Sequence, residues 1–182
     1  MKFITPSQDP WRSVGGDDGP MVTITPKANL LLSLLDWHAV RKHWPAGMPV
    51  GVKVANDTDI ETVADDLPRL ALVALIFPKW VDGRAYSQAR LLRSRFHYAG
   101  EVRPTGDVLV DMLPLLARTG FSAVMLRADQ SREAAERQLN FFHGHYQGDA
   151  NDNRPIFAKP AGWADAVAHQ SAPEFVNAGA SI

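Results

Sequence analysis

The sequence predicts an α/β fold: about five β-α units in residues 21–147, forming a mainly parallel sheet with helices packed on it. Short β-branched or apolar runs alternate with segments whose apolar residues recur at helical spacing. One run, LALVALIF at 70–77, is apolar throughout, as a strand must be when both faces of a parallel sheet are covered. The spacing from strand to strand leaves room each time for the crossover helix that parallel neighbours require. Right-handed crossovers either cover both faces of an open three-layer sheet or curl it into a partial (β/α) barrel, and the element order admits both.

Taken in order, residues 1–20 contain GGDDGP, whose Gly and Asp favour turns, and read as a loose or hairpin-forming N-terminal arm. MVTIT at 21–25 has strand composition and is stopped by Pro26. A helix is expected over about 28–44, with Leu31, Leu34, Leu35 and His38 on one face, closed by Pro45 and Gly47. PVGVKVA at 49–55 alternates as a strand. Thr58 and Glu61 then have capping-box spacing, and Ile60, Val63, Ala64 and Leu67 form one apolar helix face.

After the strand at 70–77, a helix over about 86–98 gathers Ala89, Leu92 and Phe96. GEVRPTG at 100–106 reads as a short strand. Asp107 is then placed to cap a helix with Leu109, Met112, Leu113 and Leu116 in one stripe, kinked or tightened by Pro114 and ended by Gly120. FSAVMLR at 121–127 is the fifth strand, and Asp129 or Ser131 caps a last helix to about 142. Residues 148–182 carry few large apolar side chains beyond Phe157, Trp163 and Phe175, and read as a mostly flexible tail with a helical turn or two at 163–169.

The chain has 182 residues and no cysteine, which excludes a disulfide framework, a thiol nucleophile, a redox dithiol and a cysteine-ligated cluster or zinc site. Lys+Arg 19 against Asp+Glu 20 gives a formal net charge of -1, and the basic residues form no run, which argues against nucleic acid. No apolar stretch approaches the roughly 20 residues that span a bilayer, and the first residues lack a secretory apolar core, so the expectation is a cytoplasmic protein without membrane partners. The glycines make neither a Walker loop nor a Rossmann fingerprint, so no ATP, NAD or FAD cofactor is expected. His143 and His145 lack a third ligand at metal spacing, and no metal site is expected.

In parallel α/β folds ligands bind outside the carboxyl ends of the strands. Those positions here are Asn56 and Asp57, then Lys79, Asp82, Gly83 and Arg84, then Thr105, Gly106 and Asp107, and finally Arg127 and Asp129. The densest is FPKWVDGRAYSQARLLR at 77–93, where Ser87 lies near a helix start. Lys79 and Arg84 suit an anion, Arg as a bidentate fork and Lys as a point charge. Asp82 suits a general base or a ligand hydroxyl. The same residue types also close turns and cap helices, with Arg84 pairing to Asp82 or Asp107. Trp37, Trp44 and Trp80 suit a pocket lining, although such aromatics more often belong to a core or an interface.

The stretch from FPKWVDGRAYSQARLLRSRFHYAGEVRPTGDVL onward resembles the signature of a bacterial family, domain of unknown function 934, whose motif reads FPKFxDGRxYSxARLLRxRxGxxGExRAxGDVLxDQ. The resemblance covers about 49–147. Matching positions include Lys79, Asp82, Gly83, Arg84, Tyr86, Ser87, Arg90, Arg93, Arg95, Glu101, Arg103, Gly106, Asp107 and Asp111. Trp80 stands where the motif has Phe, His97 where it has Gly, Pro104 where it has Ala and Met112 where it has Gln. Members of that family are often labelled oxidoreductases of sulfite reduction, so the resemblance implies a place beside assimilatory sulfite reductase.

Three functions are then expected in turn. The first is a non-catalytic accessory or binding protein of sulfite reduction, partnered by sulfite reductase or another sulfur-assimilation protein, with an anion held by Lys79, Arg84, Arg103 and Arg127. The second is a small enzyme acting on an anionic metabolite, with Asp82 as base and Arg84 and Lys79 as clamp. The third is a ligand-free interaction module that forms a homodimer through exposed aromatic residues.

Overall fold

Five parallel strands lie side by side in chain order in the computed structural model, which describes residues 1–14, 23–142, 145–150, 152–160 and 162. They are β2 (Arg12–Ser13), β3 (Leu30–Ser33), β4 (Val50–Val54), β5 (Leu70–Phe77) and β6 (Glu101–Gly106). A separate parallel pair, β1 (Lys2–Ile4) with β7 (Ala123–Met125), continues beyond β6, because Ser122 N–H donates to Val102 O at 2.9 Å and Val102 N–H to Ser122 Oγ at 3.0 Å. The sequence of strands is therefore β2, β3, β4, β5, β6, β7, β1, with the N-terminal segment on both edges.

That topology requires curvature. From Ile4 at the end of β1 to Arg12 at the start of β2, a fully extended chain spans about 28 Å, and a 3-10 turn at Pro6–Gln8 shortens it. A flat sheet of this many strands would be about 29 Å across. The sheet instead curls into a half-barrel whose open seam is bridged by residues 5–11. Because neighbours in space are neighbours in sequence, right-handed crossovers all fall on one side. The alternative of an open three-layer sheet is thereby resolved in favour of the partial barrel.

Residues 1–14 thus form neither a loose arm nor a hairpin: each strand in them pairs parallel with a distant part of the chain. The GGDDGP stretch lies outside the described residues, as do Met21 and Val22 of the expected first strand; residues 23–25 carry no strand. The first core strand is Leu30–Ser33, within the expected 28–44 helix, and only Leu34–Val40 is helical, as α1. Leu30 and Leu32 enter the core while Leu31 faces the other way, a two-residue period that a helix cannot give. Ser33 ends the strand and caps α1, accepting from Asp36 N–H at 3.0 Å.

The remaining elements follow the expected order with local differences. Ile60–Arg69 is a 3-10 helix capped by Asp59 rather than Thr58, and still buries Ile60, Val63 and Leu67. Helix α2 spans Arg84–Ser94 and buries Ala85, Gln88, Ala89 and Leu92. Gln88 ties it to the end of β4 by donating to Ala55 O and Thr58 O, both at 2.8 Å. Helix α3 spans Leu113–Thr119, with Pro114 in its first turn rather than at a kink, and ends at Gly120 with φ 108. A 3-10 turn at Val110–Met112 precedes it, so Asp107 caps no helix. Helix α4 spans Arg132–Leu139 and is capped by Ser131. The helical turn expected at 163–169 lies outside the described residues.

The core fills the space between the convex face of the sheet and these helices. Val50, Val52 and Val54 of β4 and Val73, Leu75 and Phe77 of β5 meet Ile60, Leu92, Leu113 and Leu116 there, all at 0–1 % exposure. Each such side chain contributes roughly 1.5–3 kcal/mol by burial. Leu72 and Ala74 are equally buried on the concave side, which explains the uninterrupted apolar run in β5. Among the described residues, no helix is long and apolar enough to cross a membrane.

Candidate functional site

Alternate residues of the strands point into the half-barrel, and toward its C-terminal mouth they line a cavity of about 380 Å³. Lys53 of β4, Ala74 of β5 and Arg103 of β6 are direct register partners, so the two cations share one row with a small residue between them. The N-terminal segment closes the seam beside them. Its Asp9 carboxylate accepts from Arg103 Nη1 at 2.7 Å, its Ser13 Oγ accepts from Lys53 Nζ at 2.8 Å, and the Trp11 ring lies over Gly51, which has no side chain to obstruct it.

Arg103 is only 5 % exposed. Its Nε donates to Glu101 Oε1 at 2.8 Å, and Nη2 stands 2.6 Å from the same oxygen without hydrogen-bond alignment. Arg103 is thus held between two carboxylates, its Nη2 by the charge of Glu101 rather than by an aligned hydrogen bond. Lys53 has no ion pair among the described residues. Arg127 completes the cationic lining from the end of β7, but it is half-exposed and paired with Asp129 at 2.6 Å and with Asp107 at 3.1 Å.

The other expected site residues stand at the strand ends around this mouth. Asp107 links two loops by accepting from Trp80 N–H at 3.2 Å and from Arg127 at 3.1 Å. Gly106 has φ 92, and a β-carbon there would lie 2.3 Å from Phe77 O, so the close pairing of β5 and β6 at this point needs glycine. Gly83 has φ -85, and a β-carbon there would make only an ordinary contact with Tyr86, so its turn does not. Lys79 and Ser87 are exposed. Tyr86 packs against Phe77 with ring centroids 5.1 Å apart, and burial raises its pKa. His97, at a motif glycine, has φ 49 in the region that favours glycine.

Asp82 and Arg84 form a closed fork at the start of α2: Nε donates to Oδ1 at 3.0 Å and Nη2 to Oδ2 at 2.7 Å, while Asp82 Oδ1 also accepts from Arg84 N–H. The Arg84 side chain, then its backbone N–H, hold the Asp82 carboxyl down to a pKa of about 2. A carboxylate this stabilised is a weak base at neutral pH, and the fork that would grip an external anion is filled. The Asp82 carboxyl carbon should titrate by NMR with a midpoint near 2, and Arg84→Ala should move it toward the ordinary value of about 4. A depressed pKa in the fold stabilises above the unfolded value, so this pair's contribution persists to about pH 4 and is lost as pH falls toward 2. A midpoint near 4 in the wild type would show that the fork is not formed.

His143 lies outside the described residues, burial lowers the pKa of His145, and among the described residues no group of three metal-ligating side chains occurs. Trp37 and Trp44 are core residues with ring centroids 5.9 Å apart, whereas Trp80 is exposed. Phe141, Phe142, Tyr146 and Phe157 are exposed aromatics. A concavity of about 370 Å³ at the opposite strand ends, near Trp44 and Met48, offers one charged side chain, Arg69, which already donates to Arg41 O and Trp44 O. Lys53 and Asp9 were not singled out from sequence. Lys53 is an ordinary alternation residue until the curl is known, and Asp9 lies 94 positions from Arg103.

No curated protein matches the chain. A family model described as "Bacterial protein of unknown function (DUF934)" matches residues 51–157, from within β4 through α4 and beyond. That is more than half of the chain and includes the mouth residues Lys53, Arg103, Gly106, Asp107 and Arg127; the protein belongs to the DUF934 family.

Proposed function

We propose that the protein is a non-catalytic binding protein accessory to assimilatory sulfite reduction, taking a small anion at the mouth of its half-barrel. One observation carries the anion: Lys53 and Arg103 line one cavity across Ala74, the first without an ion pair among the described residues and the second with an Nη2 that makes no aligned hydrogen bond. A point charge beside a guanidinium suits a ligand with two or more accepting oxygens. The tie to sulfite reduction rests on the family resemblance. Binding is preferred to catalysis in this reading because the chain supplies no thiol and Asp82 is a weak base.

Calorimetric titration with sodium sulfite, sulfate and phosphate at low ionic strength tests it. Saturable one-site binding is expected, weakened about 10-fold or more by Lys53→Ala, or roughly 1.4 kcal/mol, and unchanged by Arg84→Ala. Absence of binding by all three anions would remove the site. Loss on Arg84→Ala with none on Lys53→Ala would move it to the loop after β5.

A further inference from the structure

We propose that Asp9 occupies the anion subsite on Arg103, and that a ligand enters by exchanging with this carboxylate and so releases the N-terminal segment. The inference rests on the anion-binding reading of the mouth and says how that site is regulated.

Arg103 is buried between two carboxylates, Asp9 at 2.7 Å and Glu101 at 2.6 Å. An incoming anion would be the third negative group around one guanidinium, and like charges in a poorly solvated space repel strongly. One carboxylate must leave before the anion can bind tightly. Glu101 lies two residues from Arg103 on the same strand, which pairs with β5 along its length. Asp9 is on the short bridge between β1 and β2. Among the described residues, its one other hydrogen bond is accepted from the Trp11 N–H, at 3.2 Å.

The segment behind Asp9 is also the more weakly attached. Strand β2 has two residues, held to β3 by Arg12 N–H donating to Asn29 O at 2.9 Å and Val14 N–H donating to Leu31 O at 3.0 Å. A short edge strand with few buried contacts opens at low free-energy cost. Both cations of the row are thus capped by this one segment, Arg103 by Asp9 and Lys53 by Ser13 Oγ. An anion bridging Lys53 and Arg103 takes both places together, so binding and release of the segment are a single exchange.

Inorganic sulfate and phosphate serve as probes on the full chain. Asp9→Asn keeps an acceptor for the Trp11 N–H but removes the competing charge, and is expected to bind sulfate about 10-fold more tightly than the wild type. In the wild type, saturating sulfate is expected to speed hydrogen exchange of the Trp11, Arg12 and Val14 amides about 10-fold while leaving Val52 unchanged; this measurement needs no variant to fold. If the wild type binds sulfate but Asp9→Asn binds it no more tightly, or exchange at these amides is unchanged or slower, Asp9 is a structural pin and the exchange is overturned while the anion site stands. If folded wild type and folded Asp9→Asn bind neither probe, the anion-binding reading falls and the exchange falls with it.

Discussion

Arg103→Ala will lower stability by about 3–5 kcal/mol, the range for breaking a buried charge pair from one side, and will abolish anion binding at the mouth. Truncation leaves Asp9 and Glu101, whose side chains are 12 % and 24 % exposed, facing each other's charge without the guanidinium between them. For a domain of this size the loss corresponds to roughly 6–20 °C in melting temperature. The cause is electrostatic rather than a packing loss, and a triple variant separates the two. Asp9→Asn, Glu101→Gln and Arg103→Met together remove both signs and should recover most of the stability, since replacing a whole buried ionic group by neutral side chains is often neutral or better. Thermal unfolding by circular dichroism, read beside sulfate calorimetry, checks both halves. A melting point for Arg103→Ala within about 3 °C of the wild type, barely 1 kcal/mol, would mean that the two carboxylates are well solvated and the cavity is open to water.

The part of the fold that was legible from sequence runs from β4 to α4, because there the local signals agree with the tertiary structure. LALVALIF reads as a strand covered on both faces and stopped by Pro78, and the strand is Leu70–Phe77. Leu30–Ser33 was not legible by the same means. Three consecutive leucines favour helix locally, and parallel pairing with β2 and β4 overrides that preference. A signal was nevertheless present, since Ser33 and Asp36 have the spacing of a helix cap and mark where the helix starts.

The mouth divides in the same way. Gly106, Asp107 and Arg127 were placed at one edge by topology alone, because every parallel strand delivers its C-terminal loop there. Lys53 and Asp9 required the curvature. In a flat sheet Lys53 would face one solvated surface; in the half-barrel it faces Arg103 across Ala74. Asp9 reaches that row only because β1 and β2 occupy opposite edges, and pairing at such long range leaves no periodic trace in the sequence.

Gly106→Ala will lower stability by about 3 kcal/mol or more, and its partner experiment, Gly83→Ala, by no more than about 1 kcal/mol, although both glycines belong to the family motif. At Gly106, φ is 92, where a side chain is strained by about 1–3 kcal/mol, and the new β-carbon would stand 2.3 Å from Phe77 O and 3.1 Å from Phe77 C. These are backbone atoms of a strand paired on both sides and cannot swing aside. The β5 and β6 ends must part, which breaks the 2.8 Å hydrogen bond from Asp107 N–H to Phe77 O, worth about 1 kcal/mol. Asp107 then carries with it its contacts to the Trp80 N–H and to Arg127, so weaker sulfate binding should accompany a melting point lower by roughly 6–12 °C. At Gly83, φ is -85 and the nearest atom to an added β-carbon is Tyr86 Cδ2 at 3.6 Å, an ordinary contact; only the modest preference for glycine over alanine at a helix N-cap is lost. Equal losses at the two positions would mean that the close approach at Phe77 can relax, and that the link from β6 through Asp107 to Arg127 is not what holds the mouth in shape.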